Sequence, residues 1–114
     1  MNDPLQTVVE TTAYLADAKK LMTDEERSEL VSMIAADPDC GDVIVGGGGV
    51  RKVRFAIGNK GKSGGVRVVY FFSDTRFPAF LLSVFAKKER SNLSDAEVNA
   101  LAKMANRLVE TYGG

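Results

Sequence analysis

Three stretches of β-branched and aromatic residues, 50–57, 65–73 and 79–86, follow one another with only turn signals between them. Strands joined by short turns pair antiparallel, because a parallel neighbour needs a crossover of a dozen or more residues. A glycine-rich segment makes the first connection and residues 74–78, ending at Pro78, make the second. This run must form an antiparallel sheet, and the rest of the chain must cover it. Residues 13–22 place Tyr14, Leu15, Ala18 and Leu21 on one apolar helical face. Thr23 followed by Glu26 is a capping box that opens a second helix, with Leu30, Val31 and Ile34 as its stripe and Asp37-Pro38 as its end. Ser94 and Glu97 repeat the capping pattern before a helix whose Val98, Leu101, Ala105, Leu108 and Tyr112 recur at helical spacing and read as core. Val8 and Val9 suggest a short first strand over residues 6–10.

The resulting order, β-α-α-β-β-β-α, predicts one α+β domain over residues 1–114. Its small antiparallel (mixed) sheet has three to four strands, with two N-terminal helices, one C-terminal helix and the helices mostly on one face. The four glycines at 46–49 read as a flexible loop. No apolar run reaches 18 residues and the N-terminus lacks a secretory pattern, so no membrane is expected. The single cysteine, Cys40, reads as a small, partly buried residue and fits a reducing cytoplasm.

The formal charge is zero, but its distribution is uneven. Residues 1–49 carry a net −7, residues 51–90 a net +8 and residues 91–114 a net −1. Local potential governs polyanion binding, so the middle segment points to nucleic acid although the total does not. Residues 51–72 hold Arg51, Lys52, Arg54, Lys60, Lys62 and Arg67 with no acidic residue among them. Histidine is absent, which excludes a histidine-based nuclease, a serine hydrolase triad and a histidine-ligated zinc site. No metal or cofactor is expected.

Residues 56–63 nearly spell a phosphate-binding P-loop, but the exit from the turn is β-branched and aromatic where that motif needs a helix. The segment reads as a hairpin turn bearing solvated lysines. Strand alternation places Arg51, Val53, Phe55 and Ile57 on one face, with Lys52 and Arg54 on the other. Arg67 is assigned to the Lys52 surface from its charge. On the last strand Phe80, Leu82 and Val84 alternate with Leu81, Ser83 and Phe85, so that strand is central or covered on both sides. Cations on one sheet face also fit an ordinary solvated side. Such faces usually mix signs, because like charges facing across strands are destabilising.

Lys52-Val-Arg54 on a strand, the segment from Gly61 through Arg67 to Tyr70, and the Phe85 to Ser91 ending before a helix together resemble the RelE/ParE superfamily of bacterial type II toxins. Within it they resemble the HigB-like, ribosome-dependent mRNA interferases. The resemblance implies a RelE-like fold and metal-independent endonucleolytic cleavage of mRNA on the ribosome, by attack of a ribose 2′-OH on the adjacent phosphodiester. It implies catalytic roles for Lys52 (base or phosphate contact), Arg54, Arg67 (phosphate stabilisation) and Lys88 (leaving group). Arg51, Lys60, Lys62, Lys87 and Arg90 are assigned to RNA and ribosome contact. The family's catalytic tyrosine is replaced by Ser94, and Tyr70 reads as a packing residue. A cognate antitoxin is the implied protein partner. Two other readings stay open: a ParE-like toxin that binds a protein target such as gyrase without catalysis, and an inactive RNA-binding domain.

Overall fold

A computed structural model of the chain describes residues 5–58, 65–88 and 92–113. The elements are β1 (Val8–Glu10), α1 (Thr12–Leu21), α2 (Asp24–Ala36), β2 (Asp42–Val43), β3 (Val50–Phe55), β4 (Val66–Phe71), β5 (Ala79–Ala86) and α3 (Asp95–Gly113). Both capping boxes form. The Glu26 N–H donates to Thr23 Oγ1 at 3.1 Å while the Thr23 N–H donates to Glu26 Oε1 at 2.9 Å. The Ser94–Glu97 pair does the same at 2.8 and 3.2 Å. None of the helices, among the described residues, is long and apolar enough to cross a membrane.

The sheet has five strands in the order β1-β5-β4-β3-β2, where three to four were expected. The addition is β2, whose two residues pair antiparallel with β3, Asp42 opposite Lys52 and Val43 opposite Arg51. A segment that short carries no readable alternation. Strand β1 runs parallel to β5, and the crossover between them contains α1 and α2. The other pairings are antiparallel. The turn that resembles a P-loop leads into strand β4, as its composition predicts.

Helices lie on both sheet faces, not mostly on one. Tyr14, Ala18 and Met22 of the first helical layer, with Leu30 and Ile34 of α2, pack on Val66, Val68, Tyr70, Leu81 and Val84. On the other side, Leu101 and Ala105 of α3 pack on Val50, Val69, Phe71, Phe80, Leu82 and Phe85. Strands β4 and β5 have no solvated face, so both of their faces need apolar cover. Tyr112, expected in the core, is 55% exposed and rests edge-on against Phe80 with ring centroids 5.1 Å apart.

Strand β5 also departs from simple alternation. Val69 pairs with Ser83 but Tyr70 pairs with Leu81, leaving Leu82 as an extra residue in a β-bulge. Beyond it the faces exchange, so that Val84 points to the α1–α2 layer and Phe85 to the α3 side, opposite Arg67. The expected grouping of Val84 with Phe80 and Leu82 is corrected accordingly. A one-residue slip reverses every side chain after it.

The glycine run is a built turn. The Gly47 N–H donates to Ile44 O at 2.9 Å, and the Ile44 N–H donates to Val50 O at 2.9 Å. Gly49 has φ +103°, and a Cβ there would lie 2.8 Å from Phe71 Cε1. Gly48 has φ +65° with open space around it. In urea unfolding, Gly48→Ala is therefore expected to lose about 1 kcal/mol from left-handed strain alone. Gly49→Ala is expected to lose on the order of 2–3 kcal/mol, because strain and a clash combine. Equal losses would show that Phe71 does not constrain the turn.

Candidate active site

Val53 and Phe55 of β3 pack toward α1 and α2, so the alternate residues Lys52 and Arg54 emerge on the α3 side. In the ladder Lys52 faces Val69 and Arg54 faces Arg67. Directly opposed residues share a face, which brings Arg67 beside Arg54. Lys52, Arg54 and Arg67 line one cavity of about 270 Å³, together with Cys40, Asp42, Val53 and Asn92. Side chains opposed in this way have Cβ atoms about 5 Å apart, and like charges there repel. Nη1 of Arg67 is buried and has no hydrogen-bond partner among the described residues. A buried charged donor without a partner is destabilising, and a planar guanidinium beside two further cations matches the oxygens of a phosphate.

A second cavity of about 240 Å³ adjoins the first and shares Lys52 and Asn92 with it. Ile44, Val69, Phe85, Leu93 and Val98 complete its lining. Nothing in the sequence alone connects Asp42, Cys40 or Asn92 with the site. Asp42 belongs to the two-residue strand, and Asn92 lies in the approach to α3, so neither sits in a readable pattern. Only the β2–β3 register, in which Asp42 opposes Lys52, reveals the first.

The other cations expected at the site distribute differently. Arg51, assigned to RNA contact, turns to the other face and is occupied: its guanidinium pairs with the Asp39 carboxylate at 3.1 Å and donates to Gly41 O at 2.8 Å. It fixes the 38–41 loop to β3. Lys88 is exposed in the turn after β5 and is not among the cavity-lining residues. Lys87 is half-buried beside it, and its backbone N–H donates to Gly65 O at 3.2 Å. Lys60, Lys62 and Arg90 lie outside the described residues. Ser94 is the N-cap of α3 and accepts the Glu97 N–H, so its hydroxyl serves the helix.

Tyr70 supports the cavity from behind. It is fully buried, its hydroxyl donates to Pro38 O at 2.8 Å and accepts the Gly41 N–H at 2.8 Å. Cys40 Sγ lies 3.7 Å from the same oxygen. Gly41 must lack a side chain, since a Cβ would sit 2.8 Å from the Tyr70 ring and 2.9 Å from Lys52 O. The packing role expected for Tyr70 thus includes holding the loop that leads into β2.

Burial pushes the Tyr70 phenol far above the ordinary tyrosine range, with the Cys40 contact adding to the rise and the Gly41 bond opposing it. Burial, with Glu10 nearby, pushes Tyr14 up to about 12. Because folding raises both values, their contribution to stability is complete below about pH 10, the unfolded phenol value, and falls as pH rises beyond it. Urea unfolding across about pH 9–12 is expected to show that decline. Tyr70→Phe should lose about 1–3 kcal/mol at neutral pH, because the Gly41 N–H is left unpaired. A variant as stable as the parent would show that the loop is held by other contacts.

Residues 16–113 match the family model described as the RelE toxin of the RelE/RelB toxin–antitoxin system. The match runs from within α1 to the end of α3 and includes every described residue that lines the cationic cavity. The mixed sheet covered by three helices is the α+β architecture that such a toxin requires. The chain therefore belongs to the RelE toxin family, within the RelE/ParE superfamily of type II toxins, and is the toxin member of a pair whose other member is a cognate antitoxin.

Proposed function

We propose that this toxin is a metal-independent endoribonuclease of the HigB-like kind, cutting mRNA on the translating ribosome and hence acting in the cytoplasm. The observation that carries this reading is the buried, unpartnered Nη1 of Arg67 in a cavity that it shares with Lys52 and Arg54. Attack of a ribose 2′-oxygen on phosphorus builds negative charge on the phosphoryl oxygens. Cations already in place stabilise that charge without reorganising. Arg67 and Arg54 bind the phosphoryl oxygens in this scheme, since guanidinium groups remain protonated and offer several donors. Lys52, on the same face, contacts the scissile phosphate or takes part in proton transfer.

Lys88 lies outside the cavity lining, at the end of β5, and its proposed share is to approach the leaving group once RNA is bound. Lys60, Lys62, Lys87 and Arg90 are proposed to contact ribosomal RNA or the mRNA backbone, where charge matters more than geometry. The scarcity of acidic residues between 51 and 90 favours that division.

Primer extension on mRNA after induced expression tests the reading. Translation-dependent cuts are expected with the wild type. Removing a preorganised donor by Arg67→Ala should slow cleavage by roughly 10²–10³-fold. Arg67→Lys should recover only part of this, because a point charge replaces a planar fork. Growth arrest with intact mRNA would instead identify a protein target such as gyrase.

A further inference from the structure

We infer that Asp42 is the catalytic proton acceptor of the cationic cavity, taking the 2′-hydroxyl proton of the RNA; the inference rests on the nuclease reading above. Asp42 is the carboxylate among the residues that line the cavity with Lys52, Arg54 and Arg67. The β2–β3 register sets it directly opposite Lys52, on the same face. It is exposed, and no hydrogen bond or ion pair engages its carboxylate among the described residues, Lys52 included. A cross-strand pair kept only for stability would be expected to close into contact, as Arg51 and Asp39 do at 3.1 Å.

Elimination points the same way. Guanidinium groups are not proton acceptors near neutral pH, and Asn92 does not titrate. The Tyr70 hydroxyl is committed to Pro38 and Gly41. Asp42 accepts the proton as the 2′-oxygen forms its bond to phosphorus. The bond from phosphorus to the 5′-oxygen breaks, and that oxygen takes a proton from the Lys52 ammonium. The products are a 2′,3′-cyclic phosphate and a 5′-hydroxyl end, and water returns both side chains to their starting states. Lys52 thereby serves the leaving group instead of the nucleophile.

Single-turnover cleavage of mRNA on programmed ribosomes tests this assignment. Asp42→Asn is expected to slow cleavage by about 10²–10⁴-fold, with an unchanged urea midpoint. Asp42→Glu, which keeps the carboxylate, should recover part of the rate. Sulfur in place of the 5′-oxygen leaves without needing a proton. Lys52→Ala should then regain speed while Asp42→Asn stays slow. Rescue of Asp42→Asn by sulfur overturns the assignment. So does wild-type speed of that variant on the oxygen substrate, and so do equal losses in both Asp42 variants that track a lowered midpoint. If the wild type leaves the mRNA intact, the nuclease reading and this one fall together. If the wild type cuts and Asp42→Asn cuts as fast, only this one falls.

Discussion

The two central strands have no polar face, and the rest of the molecule is arranged around that fact. Every residue of β4 except Arg67, and every residue of β5 except Ser83, is buried. Two helical layers are needed to achieve this, and they are unequal. Helices α1 and α2 cover one face, whereas α3 alone covers the other. Helix α3 runs from Val98, beside Lys52, Val69 and Phe85, to Tyr112 against Phe80. Its cover ends at the Arg54–Arg67 pair, and that uncovered corner of an otherwise buried face is the cationic cavity. The site is thus the place where the apolar packing stops, with β3 supplying charged residues at the positions where β4 and β5 supply apolar ones.

That placement gives the cations their chemical value. On an open strand face, Arg54 and Arg67 would be screened by water and worth little. Here Arg67 is partly enclosed between β3, β5 and the approach to α3, and one of its nitrogens is removed from solvent without a partner among the described residues. The structure therefore holds an unfavourable arrangement in the free protein that an anion relieves on binding. The 38–42 segment makes the opposite wall, and it is fastened twice, by the Tyr70 hydroxyl to Pro38 and Gly41 and by Arg51 to Asp39 and Gly41. A wall so held keeps Asp42 and Cys40 at a fixed distance from Lys52, which is what preorganisation requires.

Much of this is legible in the sequence. Alternation along β3 separates Lys52 and Arg54 from Arg51 without ambiguity, because Val53 and Phe55 have only one place to go. The capping boxes at Thr23 and Ser94 locate two helix starts, since each pattern satisfies specific backbone donors. What stays hidden has identifiable causes. The bulge at Leu82 has no signature in a strand that is apolar on both faces, so the exchange that turns Phe85 toward Arg67 is invisible to alternation. Strand β2 is defined only by its partner. Arg51 counts with the RNA-binding cations by its charge, which a sequence displays, while its ion-pair partner twelve residues away is not displayed. Tyr112 fits a helical stripe, but the helix extends to where the sheet no longer covers it.

The zero net charge conceals a polarity that follows the sheet. The acidic first half of the chain supplies the α1–α2 layer, where Asp17, Asp24, Glu25 and Glu29 are exposed. Its other acidic residues have local tasks: Glu10 pairs with Arg27, Asp39 with Arg51, and Glu26 accepts the Gly58 N–H at 2.6 Å. The Gly58 and Thr23 bonds hold the Glu26 carboxyl below its ordinary range, so it remains an acceptor at the root of the turn that carries Lys60 and Lys62. The cavity cations open on the opposite side of the sheet. An approaching polyanion meets repulsion at one face and attraction at the other, and potentials of this kind orient encounter even when total charge cancels. The acidic layer therefore contributes to recognition without touching the RNA, because it leaves the cavity face as the favourable direction of approach.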